Sequence, residues 1–471
     1  MFFIEFNKEM KLSYKIQIYN QIRTKILNGH LKSGERLPST RELSNELQVS
    51  RNTVLAAYEM LISESYVSSI CGSGVYVNHG AQAFKQVTKI SDRYITSYLA
   101  EELSEDIINF DSGIPALDLF PRSKWNKVTR QAFNEAPISA LGYDYPQGRP
   151  ELRHILADYL KKVRGIHCNP EQIIITSGTK QGLSLIAKCL LHKNSEVWIE
   201  DPSNCNVKQI FSYHTNHITP IAVDEEGIQI SLFPANKKPD VIFVTPSHQF
   251  PMGGILSIQR RLEMAKYARD TGCYIVEDDY DSEFRYNGEP IHSLYELNSE
   301  QVIYAGTFSK ILFPSLRLGY LVLPYPLIEQ CREWKRLGDH HSNSINQLAL
   351  MRFVESGELE RYVLRAKKVY YERRNILLSL LDRYFPGKVK VYGAPAGMHI
   401  VAEWDGVTFS PELLNRLKSI GVNLIPVEDH SINKGYHQNK VILGYAHLNQ
   451  VKLEQGIIKI KSVLESFYQT D

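Results

Sequence analysis

The hydrophobic positions of this chain follow two different periodicities. Near the N-terminus, apolar residues recur every three or four positions, at Leu12, Ile16, Tyr19, Ile22 and Ile26, which predicts an amphipathic helix. Further along, short β-branched and aromatic runs alternate with helical patterns and begin near residues 173, 197, 241, 274 and 302. This alternation predicts an α/β fold with a mostly parallel sheet covered on both faces by helices.

Two more short helices are predicted near the N-terminus. Gly29 ends the first helix as a C-cap, Ser39 or Thr40 caps the second, and Ser50 caps the third. Their inward faces carry Leu43, Leu47, Val54, Ala57 and Leu61. Two short helices joined by a tight turn are typical of a helix-turn-helix, whose second helix enters the major groove of DNA.

The third predicted helix begins with side chains that suit DNA. Arg51 can read guanine, Asn52 can read adenine, and the hydroxyls of Ser50 and Thr53 suit phosphates. Two short strands, Tyr66-Val67 and residues 75 to 77, are joined through Gly-Ser-Gly and predict a wing that approaches a sugar–phosphate backbone closely. Helical spacing alone is equally compatible with a small helical cap that binds nothing.

A lysine just past a predicted strand, Lys310, has neighbours that suit a phosphate. The strand is the apolar run from residue 302, which Gly306 is predicted to close. A lysine amine can condense with an aldehyde, while the hydroxyls of Thr307 and Ser309 and the guanidinium of Arg317 hold a phosphate nearby. This stretch alone also fits an exposed loop lysine.

Three other strand ends carry candidate ligand-binding groups. Asp278 lies in an acidic run at a position where open α/β sheets bind ligands, and a carboxylate there can pair with a protonated pyridine nitrogen. Gly178 and Thr179 form a strand-to-helix turn that can cradle a phosphate. His248 and Gln249 follow a further strand in a turn-rich loop. A solvated acidic loop and a metal site are the alternatives for the acidic run; no His or Cys cluster in the sequence supports a metal.

Composition narrows the class of protein. At 471 residues the chain is too long for one ordinary domain, and 43% hydrophobic with 23% charged residues is typical of a soluble globular protein. A net charge of +2 means that any nucleic-acid surface is local. The six cysteines form no C-x-x-C pair or metal spacing. With no signal peptide and no apolar run near the roughly 18 residues that span a membrane, we expect a cytoplasmic protein.

In their order and spacing, the segments from Ile107 to the C-terminus resemble the fold type I family of pyridoxal-phosphate enzymes, the aspartate aminotransferase superfamily. The resemblance implies that Lys310 forms the internal aldimine with pyridoxal 5'-phosphate, that Asp278 pairs with the pyridine nitrogen and that Tyr280 lies near the ring hydroxyl. The remaining cofactor contacts that it implies are Gly178, Thr179, Lys180, Asn204, His248, Gln249, Thr307, Ser309 and Arg317.

The N-terminal motifs resemble the GntR family of winged-helix regulators. They are the stretches from Arg36 to Leu43 and from Val49 to Val54, together with the wing at residues 72 to 74. GntR domains act as dimers on paired half-sites, so the resemblance implies a homodimer on promoter DNA. The DNA contacts that it implies are Arg36, Ser39, Thr40, Arg41, Ser50, Arg51, Asn52, Thr53 and Gly74.

A GntR-type domain joined to an aminotransferase-like domain is the arrangement of the MocR subfamily, which the whole chain resembles. This implies a DNA-binding domain over residues 1–79, a linker over 80–106 and an effector domain over 107–471. It further implies a transcription regulator that senses pyridoxal phosphate, with or without an amino compound, and controls vitamin B6 or amino-compound metabolism. The alternatives are a pyridoxal-phosphate aminotransferase with a vestigial N-terminal domain and a purely structural protein.

Two positions of the expected effector pocket depart from the family pattern. His447 stands where aminotransferases have the arginine that binds the substrate α-carboxylate, and one imidazole does not replace a bidentate guanidinium. Asn204 stands where an aromatic ring stacks on the cofactor, and Asn206 follows it in the same stretch. We therefore expect no physiological transamination beyond a residual half-reaction, and pyridoxal phosphate itself as the signal.

Overall fold

The chain forms two units, Met1–Glu102 and Leu103–Asp471. The computed structural model describes residues 4–7, 12–80, 107–286 and 292–468. All but the first residue of the predicted linker, 80–106, therefore lies outside the described residues. Within the described ranges, no helix combines the length and the apolar character that crossing a membrane requires.

Within residues 12–80, the first unit forms three helices and a two-stranded antiparallel sheet. They are α1 Tyr14–Leu27, α2 Thr40–Leu47, α3 Arg51–Ser63, β1 Val67–Ile70 and β2 Gly74–Val77. The predicted N-caps are confirmed: Ser39 begins α2 with a capping box that includes Glu42, and Ser50 Oγ accepts from Thr53 N at 3.2 Å at the start of α3. The C-cap of α1 is Asn28 rather than the predicted Gly29, which follows it with φ of +75°. The wing strands are longer than predicted. The backbone of Arg36 also pairs with that of Tyr76 on β2 in an isolated antiparallel β-bridge.

The core of the first unit differs from the predicted stripe on α1. Ile18, Ile22 and Ile26 are fully buried, whereas Leu12 is 46% exposed and lies before the helix. Because α1 begins at Tyr14, the i, i+4 stripe on the side that packs against α3 starts at Ile18 rather than at Leu12. The inward positions on α3 are confirmed by buried Val54, Ala57 and Leu61.

The second unit contains the predicted large sheet and a smaller one. Its strands are β3 Ile108–Asn109, β4 Ile173–Thr176, β5 Glu196–Asp201, β6 His217–Asp224, β7 Gly227–Ile228, β8 Val241–Val244, β9 Tyr274–Asp279, β10 Val302–Thr307, β11 Gly319–Val322, β12 Val389–Tyr392, β13 His399–Trp404, β14 Val422–Asn423, β15 Ile425–Pro426 and β16 Lys440–Gly444. Its helices are α4 Arg122–Glu135, α5 Pro150–Arg164, α6 Thr179–Leu190, α7 Cys205–Ser212, α8 Ile258–Thr271, α9 Leu294–Leu297, α10 Tyr325–Asp339, α11 Ser344–Glu355, α12 Glu358–Tyr384, α13 Pro411–Ser419 and α14 Gln450–Tyr468.

The large sheet has eight strands in the order β4-β11-β10-β9-β8-β5-β6-β7. Strands β10, β9, β8, β5 and β6 are mutually parallel, so the prediction of a mostly parallel sheet is confirmed. The sequence pattern missed β11, which runs antiparallel between β4 and β10. A four-stranded sheet, β12-β13-β16-β15, forms the C-terminal part.

Strand β10 does not end at Gly306, as predicted, but continues to Thr307. A side chain at Gly306 would overlap the ring of Tyr320 on β11. This glycine therefore leaves space for a side chain of the neighbouring strand β11 and does not end strand β10. The extra residue of β10, Thr307, brings the strand end to three residues before Lys310.

Candidate functional site

A cavity of about 350 Å³ opens at the carboxyl ends of the central strands of the large sheet. Strands β4, β9 and β10 end beside it and direct their following residues into it. The structure thus brings together most of the cofactor and effector residues predicted from the sequence. Those that line the cavity are Thr179, Lys180, Asn204, Asn206, Asp278, Tyr280, Thr307, Ser309, Lys310 and Arg317.

Lys310 presents a half-buried amine to this cavity. Its Nζ donates to the carbonyl oxygen of Gly113 at 2.8 Å. Burial lowers the pKa of Lys310, and the nearby carboxylates of Asp111, Asp281 and Asp278 partly oppose that change. Gly113 has φ of +78°, and a Cβ there would overlap the lysine amine. The backbone at Gly113 is therefore shaped to admit this side chain, and the site favours a neutral amine more than water does.

Asp278 offers an unused acceptor. Its Oδ1 is enclosed and has no hydrogen-bond partner in the described part of the chain. The pKa of Asp278 is raised to about 8, mainly by burial and then by the charge of Asp279, with Lys310 acting in the opposite direction. A carboxylate oxygen that is desolvated and unpaired gains most from an N–H donor or a cation within the cavity.

Tyr280 connects the cavity to a buried polar pair behind it. Its hydroxyl donates to the carbonyl oxygen of His248 at 2.9 Å. The His248 imidazole in turn lies 3.0 Å from Asp281 Oδ2, measured from Nδ1. Burial raises the pKa of Tyr280 well above its usual value, so the phenol stays protonated and can donate. His248 does not line the cavity; it holds the residues that do.

Two cations stand at the rim of the cavity beside the start of α6. The side chains of Lys180 and Arg317 are exposed, and neither forms a hydrogen bond or ion pair within the described residues. Gly178, with φ of +105°, precedes α6, and a Cβ there would lie 3.2 Å from Arg317 Nη2. Thr179 and Lys180 occupy the first turn of α6, where backbone N–H groups lack intrahelical partners. Together with buried Ser309, this arrangement suits a phosphate dianion.

Three predicted residues have structural contacts that the sequence did not indicate. Gln249 is fully buried, does not line the cavity, and donates to the Pro202 carbonyl at 2.9 Å. His447 also lies outside the lining; its Nε2 donates to the Asn109 carbonyl at 2.8 Å, and burial lowers its pKa. Asn204 lines the cavity but caps α7, because its Oδ1 accepts from the backbone N–H of Asn206 at 3.0 Å.

Sequence reasoning missed several lining residues. Asp111 and Gly113 follow the two-residue strand β3, which is too short to produce a pattern. His399 and His430 arrive from the C-terminal part, and burial lowers the pKa of His399 to about 3. His399 also lies close to His248 and Asp281: one imidazole nitrogen of each histidine and one carboxylate oxygen of the aspartate are within 4.8 Å of one another. Residues so far apart along the chain leave no local motif.

The first unit presents the predicted DNA-contacting residues on one exposed stretch. Arg36, Arg41, Arg51 and Asn52 are exposed, and the side chains of Arg41 and Asn52 have no hydrogen-bond partner among the described residues. Arg51 Nε donates to Thr40 Oγ1 at 3.2 Å, which ties the start of α3 to the start of α2.

The wing glycine fits the predicted approach to a backbone. Gly74 has φ of +129°, and a Cβ there would lie 2.8 Å from Arg36 Nε. Arg36 therefore rests against the wing, with its guanidinium beside the Gly-Ser-Gly tip. The first turn of α3 and this wing form an exposed surface that is rich in arginine and hydroxyl groups, which suits a phosphate backbone and base edges.

Comparisons with known proteins agree with both parts of the chain. Residues 105–455 match the family described as aminotransferase class I and II, and residues 15–77 match bacterial regulatory proteins of the gntR family. The chain is 31% identical to the probable rhizopine catabolism regulatory protein MocR of Rhizobium meliloti, over 95% of this chain and 92% of that protein. It is 32% identical to the HTH-type pyridoxine biosynthesis transcriptional regulator PdxR of Corynebacterium glutamicum, over 98% of each.

A solved structure supports the fold of the second unit. The α-aminoadipate aminotransferase LysN of Thermus thermophilus, complexed with N-(5'-phosphopyridoxyl)-L-leucine, aligns with a TM-score of 0.71 and 27% identity. The alignment covers 78% of this chain and 94% of LysN. With both family models and the full-length relatives in agreement, the chain belongs to the MocR subfamily of GntR-family transcriptional regulators, in which a winged helix-turn-helix is joined to an aminotransferase class I and II domain.

Proposed function

We propose that this protein is a transcription regulator that responds to pyridoxal phosphate. The observation that carries the proposal is the set of groups in one cavity. It holds the amine of Lys310, the unpartnered Oδ1 of Asp278, and the cations of Lys180 and Arg317 beside a helix start. These groups match, respectively, the aldehyde, the ring nitrogen and the phosphate of the cofactor.

Each cavity residue has a task in holding the cofactor. When bound, pyridoxal phosphate supplies an aldehyde that condenses with a primary amine and a ring that stabilises negative charge. Asp278 would accept the ring N–H, which would satisfy its enclosed oxygen. Arg317, Lys180 and the first turn of α6 would hold the phosphate. Because burial lowers the pKa of Lys310, a larger share of its amine is neutral and nucleophilic at neutral pH.

Recognition of an amino-acid carboxylate is not the purpose of this cavity. Arg317 is the sole arginine among the described residues that line it, and it lies at the phosphate end. His447, at the position of the family's carboxylate-binding arginine, already donates to Asn109. Because Arg317 and Lys180 both lie at the phosphate end and no second arginine among the described lining residues can hold a carboxylate bidentately, we propose that the cofactor itself is the signal and that transamination is at most residual. The similarity to the pyridoxine biosynthesis regulator supports vitamin B6 metabolism as the regulated process.

The DNA-binding half of the proposal rests on the first unit. We propose that Arg51 and Asn52 read bases in the major groove, that Arg36, Arg41, Ser39, Thr40, Ser50 and Thr53 contact phosphates, and that Gly74 lets the wing approach the backbone. A homodimer on two half-sites in the cytoplasm fits the GntR family match. The cofactor can change the affinity for DNA only if the DNA-bound and the DNA-free protein bind the cofactor with different affinities.

Genome-wide footprinting with and without vitamin B6 tests this function. We expect footprints at a few promoters whose occupancy changes when the vitamin is supplied, because the pool of pyridoxal phosphate then changes. The matched control is a strain that carries Lys310→Ala, in which the same promoters should not respond. Identical occupancy in both conditions, together with steady turnover of an amino-acid and keto-acid pair by the purified chain, would instead favour an aminotransferase with a vestigial N-terminal domain.

A further inference from the structure

Two cysteines meet where helix α6 packs against helix α10. Cys189 lies in the last turn of α6 and Cys331 in the middle of α10, and their Sγ atoms are 3.0 Å apart. Cys331 is fully buried, whereas Cys189 is half-buried and reachable from solvent. The two residues are 142 positions apart, so the pair exists only in the folded chain.

The same two helices are also joined at the cavity end of α6. Gln181 Oε1 accepts from Ser177 N at 2.7 Å, just before the helix, and its Nε2 donates to Asp339 Oδ2 at 2.7 Å at the end of α10. Asp339 is itself held by the buried amine of Lys335, at 2.6 Å. Helix α6 is thus connected to α10 near the phosphate-binding turn at one end and at the cysteine pair at the other.

We propose that Cys189 and Cys331 form a redox modification site, in which hydrogen peroxide converts the two thiols into an internal disulfide that joins α6 covalently to α10. A disulfide has an S–S bond of about 2.05 Å, so the sulfur atoms need to approach by only about 1 Å from their present separation. Such a movement is within reach of side-chain rotation on two packed helices. Disulfides that form in the cytoplasm are mostly transient and redox-sensing, which fits a regulator.

The chemistry proceeds in two steps that balance. The Cys189 sulfur attacks the peroxide, the O–O bond breaks, and a sulfenic acid and one water result. The Cys331 sulfur then attacks the Cys189 sulfur and displaces the hydroxyl as a second water, so two thiols lose two electrons to the peroxide. The contact with Cys189, followed by burial, raises the pKa of Cys331, so Cys331 acts as the second, resolving thiol.

The disulfide has a consequence for the cavity that rests on the proposed function. Thr179 and Lys180 stand on the first turn of α6, so a helix that is fastened to α10 holds the phosphate cradle more rigidly. We expect the oxidised chain to release pyridoxal phosphate at least about threefold more slowly than the reduced chain, because the bound arrangement is preorganised.

Mass spectrometry on the full chain tests the site directly. The reduced protein is treated with a small excess of hydrogen peroxide, quenched with an alkylating reagent and digested. We expect the number of alkylated thiols to fall by two from six and one peptide to link Cys189 with Cys331. The variants Cys189→Ser and Cys331→Ser should lose this peptide, whereas Cys168→Ser, a half-buried cysteine elsewhere, should keep it.

The outcomes separate the two claims. Six alkylated thiols after treatment, or Cys189 found only as sulfinic or sulfonic acid, overturn the redox site without relying on any variant. If the disulfide forms but the release rate of pyridoxal phosphate does not change, the claim that the disulfide makes the phosphate-binding turn more rigid is wrong. A chain that forms the disulfide but binds no pyridoxal phosphate in either redox state contradicts the proposed function, while the linked peptide supports the redox site by itself.

Discussion

The two candidate sites of this chain are built in opposite ways. The proposed DNA-binding surface comes from residues 36 to 74, where capped helix starts and one wing turn place exposed side chains. The cavity comes from residues 111 to 430, which strand ends and loops of the second unit bring together around a half-buried amine. One site is formed by local turns, and the other exists only when the whole sheet has folded.

This difference sets how each site responds to change. In the cavity, burial shifts the pKa values of Lys310, Asp278 and Tyr280, so one substitution changes the electrostatics of its neighbours. On the exposed surface of the first unit, we expect each proposed DNA-contacting side chain to act separately, with the phosphate contacts screened by salt. We therefore expect large, coupled effects in the second unit and moderate, separable ones in the first.

The largest effect is expected from Lys310→Ala. The variant lacks the amine that bonds to the aldehyde, so the visible absorbance of the chain with pyridoxal phosphate should disappear. Circular dichroism should stay unchanged, because this side chain makes a single hydrogen bond, to Gly113. Lys180→Ala is the matched control, which should weaken binding but retain the band. A Lys310→Ala protein that keeps the band would show that another amine reacts.

Arg317→Ala should weaken the binding of pyridoxal phosphate by about 10- to 100-fold, as expected for the loss of about 1.5–3 kcal/mol of charge-assisted hydrogen bonding. Titration of the apo-protein followed by absorbance measures the change. Arg269→Ala, which removes an exposed arginine of α8 outside the cavity, should have no effect. If the wild type and Arg317→Ala bind pyridoxal phosphate with equal affinity, the proposal that the phosphate lies at this end of the cavity is wrong.

Arg51→Ala should cost about 1–3 kcal/mol of DNA affinity at the base pair that it reads, and should relax specificity there. Electrophoretic mobility shifts with a set of promoter variants measure both quantities. Lys15→Ala, on the exposed side of α1, is a charge-matched control that should leave specificity intact. A footprint and a preference that do not change with Arg51→Ala would refute this contact and weaken the contrast between the sites.

The smallest effect concerns the pH dependence of the apo-protein. The pKa of Asp278 is about 8 in the folded chain and about 3.9 when unfolded. The folded state therefore keeps a proton that the unfolded state releases, and the free energy of unfolding falls as pH rises between these values. Between pH 6 and 8, the free energy of unfolding of Asp278→Asn, measured by urea denaturation, should fall by about 2 kcal/mol less than that of the wild type. Parallel pH profiles would contradict an enclosed, unpaired carboxyl.

Local chemistry explains which features the sequence could reveal. The caps at Ser39 and Ser50 follow from residues within a few positions and are confirmed as helix starts. Asp278 and Lys310 are confirmed as cavity-lining positions, although β9 continues through Asp279 and β10 through Thr307. The helix-turn-helix, the mostly parallel sheet and the family were predictable for the same reason. Whether these side chains contact DNA or the cofactor stays a prediction.

The remainder depends on contacts between distant segments. Gly306 was expected to end a strand, but it lies within β10, where its lack of a side chain leaves space for the ring of Tyr320 on the neighbouring strand. Gly113 shapes the space for Lys310 from a loop 197 positions away along the chain. His399 and His430 enter the cavity from the C-terminal part. Such pairings leave no periodicity or motif in one sequence, because only the packed fold brings them together.

The most direct test of the account is the affinity of the full chain for its own promoter with and without pyridoxal phosphate, measured by fluorescence anisotropy. We predict that the cofactor alone, with no amino acid added, changes the dissociation constant, and that Lys310→Ala binds the promoter but no longer responds. A dissociation constant that is the same with and without the cofactor, in a wild-type sample whose absorbance shows that the cofactor is bound, would contradict the central claim.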